Sequence, residues 1–343
     1  MSLETTTLKK TILRTGLWRT APRQNPIKAG KESFPFHFVF PSGRQTLSRA
    51  IQLAGLGRMH RVAFPEWSSH CVVSAIARYA TPVPFTESMK FRAKPDAVLI
   101  YEQWGWPIAT EAMEQIKSYA EDMVFIFDMV DSAHFKVEVE EEKEPDGFTS
   151  FFRFTSLSKL LGLSGGGIGI ANERYMGFSP DTESERLLAF FEKQNVPNEF
   201  TNDFFKNIMK ENMVAIPAML LEWLEKNDLR GAIADELAAR QANLKKIMSS
   251  SLTDEWPHWM KDAARNGAGP GIAPLLRGAS EKILKRIKAS LLDVHNVETE
   301  IYHFNWSGNP LEASYEKCLA FPVHGMVRNI ENILSDLEAW EGC

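Results

Sequence analysis

The chain has 343 residues, of which 44% are apolar, 24% charged and 11% aromatic, a composition that belongs to a globular protein and excludes disordered or collagen-like ones. Its 39 basic and 44 acidic side chains leave a formal charge of −5, so there is no net positive field to hold a nucleic-acid backbone or an anionic membrane. No apolar run reaches the ~18 residues of a membrane span, the opening residues lack the apolar core of a secretory signal, and three scattered cysteines (Cys71, Cys318, Cys343) suit neither a disulfide framework nor a CxxC metal pair. A cytoplasmic chain with reduced thiols and no metal site is expected.

Residues 1–35 are basic and irregular, with Pro22 and Pro26, and read as an N-terminal arm. A strand over FHFVF comes next, then a helix in SGRQTLSRAIQLAGLG, where Leu47 and Ile51 share a face. HRVAFP reads as a strand ending at a proline, HCVVSAIARYA as a helix, TPVPF and KPDAVLIYEQ as strands, EAMEQIKSYAED as an amphipathic helix, and MVFIFDMVD as a strand covered on both faces. The alternation runs to about residue 175 and implies an α/β fold, a mainly parallel sheet flanked by helices whose ligands lie at the carboxyl ends of the strands. The charge run from Lys136 to Gly147 reads as a solvated loop. Residues 182–250 are helical in pattern, with Pro217 expected to kink one helix, and RNGAGPGIAP at 265–274 marks entry to a C-terminal lobe that ends in the helix NIENILSDLEAW. The expected division is an arm at 1–35, a large α/β domain at 36–250 and a smaller α+β domain at 251–343.

Three segments carry candidate chemistry. In FFRFTSLSKLLGLSGGGIGIA (151–171) a strand leads into Thr155, Ser156 and Ser158, then Lys159, then a glycine cluster. A lysine among apolar residues needs a paired charge or a lowered pKa, and lysines of lowered pKa form Schiff bases; the competing reading is a surface lysine on a glycine-rich turn. A dinucleotide fingerprint fails, because Gly165 and Gly167 are followed by Ile170 where GxGxxG needs glycine. In VFIFDMVDSAHF the strand delivers Asp128, Asp131 and His134 to its carboxyl end. A buried carboxylate there needs a cationic partner, such as a protonated heterocyclic nitrogen, although Asp131 as a helix cap and His134 as a core histidine are open alternatives. In FPSGRQTLSRAI, Ser42 and Gly43 precede a helix whose first N–H groups, at Arg44 and Gln45, are able to hold a phosphate.

In this order and spacing, with Lys159 placed 28 positions after Asp131, the segments resemble the fold type I pyridoxal-phosphate (PLP) aminotransferases, the aspartate-aminotransferase-like fold, and within them the DegT-like sugar aminotransferases. SGRQTLSRAIQLAGLG is similar to that family's phosphate loop, HRVAFPEWSSHCVVSAI to its strand and cofactor-facing turn, YEQWGWP to its YGxP turn, DSAH to its DxAH motif, and CLAFPVHGMVRNIENIL to its closing LPxHxxM segment and final helix. The resemblance implies that Lys159 holds PLP as a Schiff base and shuttles the substrate proton. It further implies that Asp131 keeps the pyridine nitrogen protonated, that His134 contacts the ring, that Ser156 or Thr155 with the amides of Gly43, Arg44 and Gln45 binds the phosphate, and that His70, or Trp67, stacks on the ring. It also implies a homodimer acting on small molecules, with an amino acid donor, glutamate by family habit, and a keto-sugar or other small carbonyl acceptor. Two departures stand out. Phe154 occupies the family's usual hydroxyl position, five before the lysine, and Gly167 replaces the arginine of SKxxGLxGxRxG, leaving Arg44 to supply the charge. These departures motivate the alternatives of another PLP activity (lyase, aldolase or desulfurase) or a non-catalytic binding homologue. Of nine tryptophans, Trp67, Trp104 and Trp106 fall in turns expected to wall the cofactor cleft.

Overall fold

The structure is a computed structural model and describes residues 15–19, 38–85, 94–118, 123–134, 151–171, 220, 222–223 and 226–341. The charge run at 136–147, Pro217 and Cys343 lie outside the described residues. The larger sheet is built from β1 (Phe38–Phe40), β2 (Arg61–Phe64), β3 (Thr81–Pro84), β4 (Ala97–Tyr101), β5 (Val124–Asp128), β6 (Phe151–Ser156) and β7 (Gly167–Ala171), in the spatial order β1-β7-β6-β5-β4-β2-β3. Strands β3, β2, β4, β5 and β6 pair in parallel, while β7 runs antiparallel to both β6 and β1. The single reversal follows from chain length. A parallel return needs a crossover of a dozen or more residues, whereas β6 and β7 are joined by only the five-residue helix α4 (Leu157–Leu161) and a glycine turn.

The near-continuous apolar runs of β4 and β5 are buried on both faces, because helices cover each side. On one face lie α1 (Gly43–Leu53) and α2 (His70–Ala77), contributing Leu47, Ile51, Ala75 and Ile76. On the other lie α3 (Thr110–Ser118), α4 and the first part of α5 (Leu229–Ile247), contributing Ile116, Leu157, Leu160, Leu161 and Ile233. After α6 (His258–Arg265) the glycine- and proline-rich stretch opens into β8 (Ile272–Leu275), the first strand of a second, antiparallel sheet in the order β8-β10-β9, with β9 at Glu300–Asn305 and β10 at Tyr315–Pro322. Helices α7 (Glu281–His295) and α8 (Ile330–Glu341) cover it through Leu284, Ile287, Leu291, Ile333 and Leu337. Among the described residues no helix is long and apolar enough to cross a membrane.

Two tryptophans expected at the cofactor cleft lie elsewhere. Trp104 and Trp106 are buried in the core of the smaller lobe, Trp104 stacked on Phe304 at 5.0 Å and Trp106 edge-on to Trp256 at 5.2 Å with its Nε1 donating to the Ile272 carbonyl at 2.9 Å. The WGWP turn leaves the sheet toward β8 and β9, so its rings seal the two lobes together. Only Trp67 of the three stays open to solvent, 56% exposed and stacked on His303 at 4.3 Å.

Helix α5 joins the lobes: Leu229 and Ile233 enter the core of the larger sheet, Leu244 and Ile247 that of the smaller. Midway along it sits a buried ionic triad. Glu236 accepts from Arg19 Nη1 at 2.8 Å and from Arg240 Nε at 3.0 Å, all three side chains being nearly inaccessible. Removing one member of such a group leaves a charge buried without compensation and costs about 3–5 kcal/mol. Glu236→Gln is therefore expected to lower the unfolding free energy by that amount, with a lower urea midpoint at unchanged slope; equilibrium denaturation checks it, and a loss below ~1 kcal/mol would contradict it.

Candidate active site

The carboxyl ends of β1, β4, β5 and β6 converge, and each delivers one part of the site. From β6 the chain turns at Ser156 directly into α4, which places Lys159 in mid-helix; Gly162, at φ 69°, ends the helix after one turn and a half. From β5 the chain forms a tight turn in which the Val130 N–H donates to Asp128 Oδ1 at 3.2 Å and the Ser132 N–H to the Met129 carbonyl at 3.0 Å. That turn aims Asp131 at Lys159, with Oδ1 3.0 Å from Nζ. Asp131 is fully buried. Its second oxygen, Oδ2, accepts from the Tyr101 hydroxyl at 2.5 Å, and its backbone carbonyl accepts from Arg240 Nη1 at 2.7 Å. Gly105, at φ 87°, passes over the same carbonyl, and a Cβ there would stand 2.5 Å from it, so this position of the WGWP turn admits glycine alone.

From β1 the chain enters α1 through Ser42, whose hydroxyl caps the Gln45 N–H at 3.3 Å. The start of α1 is fastened to the lysine loop: the Gly166 N–H donates to the Pro41 carbonyl at 2.7 Å and the Leu157 N–H to the Gly166 carbonyl at 2.9 Å. Gly43 faces Ser156 and Val130 so closely that a Cβ would meet Ser156 Cβ at 3.3 Å and Val130 Cγ1 at 3.2 Å. Ser156 Oγ is hydrogen-bonded to Ser158 Oγ at 3.0 Å. The Thr155 hydroxyl, by contrast, is spent on the Met129 carbonyl at 2.9 Å and is wholly buried, so of the two candidate hydroxyls it is Ser156 that stands at the helix start. The absence of an arginine at position 167 has a steric cause. A Cβ on Gly167 would fall 2.2 Å from Thr46 Oγ1 and 2.6 Å from the Ser42 carbonyl, because α1 crosses directly over β7.

The remaining expected residues are dispersed. Arg44 is exposed on the outer face of α1. His70 is exposed on the first turn of α2, one residue from the half-buried Cys71, whose thiol meets Ser69 Oγ at 2.9 Å. His134 turns to Glu102, Nε2 to Oε2 3.1 Å, and to Ser132 Oγ at 2.8 Å. The structure brings Lys159 to Asp131 and Gly43 to Ser156, leaves Gln45 capped by Ser42, and gives His134 a partner of its own.

Charge governs the titration of this cluster. Burial would lower the Lys159 pKa, but Asp131 and Asp128 outweigh it and hold the ammonium above its usual range. Burial lifts Asp128 to about 7, against the pull of Lys159 and with help from Asp131. Burial, with Asp131 close by, raises the Tyr101 phenol well above its ordinary value, so it remains a donor. For His134 burial works downward, but Glu102 prevails and the imidazolium is favoured. Tyr101, Ser158 and Asp128 complete the site. Tyr101 was signalled in the sequence only by its place at a strand end before a turn.

The arrangement fits a phosphorylated pyridine aldehyde. Asp131 is a fully buried carboxylate whose Oδ1 faces the Lys159 ammonium at 3.0 Å, and a buried carboxylate that needs a cationic partner is the acceptor that a protonated ring nitrogen requires. Nearby are an amine for the aldehyde and a helix N-terminus with paired hydroxyls for the phosphate. Residues 28–176 match the model of a family described as "Putative PLP-dependent aminotransferase". Solved aminotransferases share this architecture. DesV of S. venezuelae, solved in complex with a ketimine intermediate, superposes at TM-score 0.54 and 14% identity over 88% of this chain and 84% of that one. A DegT DnrJ EryC1 StrS aminotransferase from Brucella abortus gives 0.53 and 15% over 89% and 86%, and an aromatic aminotransferase from Pyrococcus horikoshii OT3 gives 0.52 and 13% over 95% of each. No curated protein sequence matches the chain significantly. PLP is the cofactor of the matched family.

Two outcomes follow from the geometry of this cluster. Tyr101→Phe removes a hydroxyl bonded to a buried carboxylate and is expected to destabilise the protein by about 1.5–3 kcal/mol, measured by urea unfolding; a neutral effect would show that Asp131 does not depend on it. For Asp128, a folded pKa of about 7 lies above the unfolded value, so its favourable contribution is complete below about pH 4 and is lost as pH rises to 7. Asp128→Asn should therefore gain stability relative to the parent chain between pH 5 and pH 8, by roughly 2–4 kcal/mol, in paired unfolding curves; parallel pH profiles would refute the assignment.

Proposed function

We propose that this protein transfers an amino group from an amino acid donor, glutamate first among them, to a keto-sugar or another small carbonyl acceptor, acting as a cytoplasmic homodimer. Residues 36–250 are the cofactor-holding unit and 251–343 the smaller lobe that closes over it. The observation that carries this reading is the Lys159 amine 3.0 Å from the buried Asp131 carboxylate, beside the start of α1. When bound, PLP supplies an electron sink for the bonds of the substrate α-carbon.

The chain's own residues do the remaining work. Lys159 would hold the cofactor through its amine and would move a proton at the substrate α-carbon. Asp131, oriented by Tyr101 and Arg240, would hold a proton at the ring nitrogen. The N–H groups of Gly43, Arg44 and Gln45, with the hydroxyls of Ser156 and Ser158, would hold the phosphate through the helix dipole and hydrogen bonds. Phosphate binding without an arginine at 167 is consistent with that design, since the space belongs to Ser42 and Thr46. The sugar acceptor is favoured by the resemblance to the DegT-like branch.

Addition of PLP to the purified protein should give an absorption band in the near-ultraviolet to visible range that Lys159→Ala abolishes. Asp131→Asn should keep the band and lose turnover on the order of 100-fold or more. Among amino donors, glutamate should bleach the band fastest, and the reverse half-reaction, run from the aminated cofactor with keto-sugars and keto acids, reads out the acceptor. A colourless protein that takes up no PLP sinks the proposal.

A further inference from the structure

Residues 15–19 form a strap from the smaller lobe to the mouth of the site. The Thr15 N–H donates to the Asn296 carbonyl at 2.9 Å, and the Glu298 N–H returns a bond to Thr15 at 2.8 Å. The Gly16 carbonyl is bonded to His324 Nε2 at 2.8 Å, Leu17 is buried in the smaller lobe's core, and Arg19 is paired with Glu236 at 2.8 Å. Trp18 is thus pinned on both sides. Its ring rests on Gly271, where a Cβ would lie 3.1 Å from Cζ3, and turns its face to Lys159, whose Nζ is 4.6 Å from the ring centroid. An ammonium at that distance is attracted by the negative face of the indole.

We infer that Trp18 is a positioning residue for Lys159: its ring covers the amine, holds it charged and fixes where it stands. The contact belongs to the chain itself; its meaning for catalysis rests on the aminotransferase reading above. Among the described residues, the other groups that act on Nζ are the Asp131 carboxylate at 3.0 Å and, through their fields, Asp128 and Cys71. All three favour the ammonium, as the ring does. Since only the neutral amine attacks a carbonyl, the ring helps to set the pH at which Lys159 reacts.

The test uses the chain without cofactor. The rate of Lys159 modification by trinitrobenzenesulfonate is followed against pH, counted at the Lys159 peptide by mass spectrometry, with Lys159→Ala as the blank. Trp18→Leu keeps apolar bulk and dryness but lacks a π face. It should lower the lysine pKa by about half a unit to one unit, so that below that pKa modification is roughly three to ten times faster. Trp18→Phe should stay within about a factor of two of the parent. Biosynthetic replacement of tryptophan by 5-fluorotryptophan preserves every ring shape while weakening its face; it should move the parent profile in the same direction and leave the Trp18→Phe profile unchanged, which covers the case of a leucine variant that fails to fold. A leucine variant that titrates like the parent, a phenylalanine variant that falls as far as leucine, or a fluorotryptophan effect that survives in Trp18→Phe overturns the inference. Borohydride trapping of added PLP on Lys159 is scored separately, so the expected titration pattern without trapped PLP removes the aminotransferase reading and leaves the contact standing, and trapped PLP with an unshifted leucine profile does the reverse.

Discussion

A carboxylate held in the interior is the condition around which this molecule is arranged. Asp131 is fully buried, and an ionised group in that position is tolerable only where opposite charge and hydrogen bonds replace the lost water. The chain meets the requirement from four directions. Lys159 comes from α4, the Tyr101 hydroxyl from the end of β4, Arg240 reaches the backbone carbonyl from α5, and Gly105 clears room above it. The strand order, the short connection between β6 and β7 and the lobe-spanning course of α5 each bring one of these partners to the same point.

The same requirement explains why charge is placed as it is along α5. Arg240 touches Asp131 through the carbonyl only, and its own charge is compensated by Glu236, which it shares with Arg19. A guanidinium aimed at the carboxylate itself would have competed with Lys159 for Oδ1. Directing it to the main chain keeps the turn rigid and leaves the carboxylate facing the amine. The strap carrying Trp18 and Arg19 is fixed through the same triad, so the wall above the lysine and the support beneath the aspartate are joined by a continuous run of polar contacts.

Much of this was legible in the sequence, and the reasons differ from residue to residue. The apolar runs of β4 and β5, the SG step before α1 and the SLSK segment each carry a local signal, because strand burial, helix starts and a lysine following clustered hydroxyls depend on neighbours in the chain. Hence the order of elements and the arrival of Asp131 and Lys159 at the carboxyl ends of neighbouring strands could be anticipated, whereas the ion pair between them could not. Long-range contacts were not written locally. The choice of Ser156 over Thr155 depended on which hydroxyl the Met129 carbonyl captures. The lack of an arginine at 167 follows from the crossing of α1 over β7, which leaves no room for a side chain there. Trp104 and Trp106 were expected at the cleft because the resembled family lines its cleft with that turn, but rings that size are drawn to the larger apolar surface, here the smaller lobe's core. Trp18 sits in a basic, irregular arm without periodicity, and its place over Lys159 is set by anchors nearly 300 residues downstream, at Asn296 and His324.

The bridge between Ser42 and Gly166 joins positions about 120 residues apart, and it has a bearing on how the protein comes into being. Closing a loop of that length carries an entropic penalty before any contact repays it, and folds dominated by such contacts form slowly. The start of α1 is not fastened until β7 has returned antiparallel along β6 and come to rest beside β1. Helix α1 draws on local contacts, but its first turn is joined to the lysine loop only after that loop has been made. The segment that carries Lys159 and the start of α1 therefore take their places together, when the sheet around them closes.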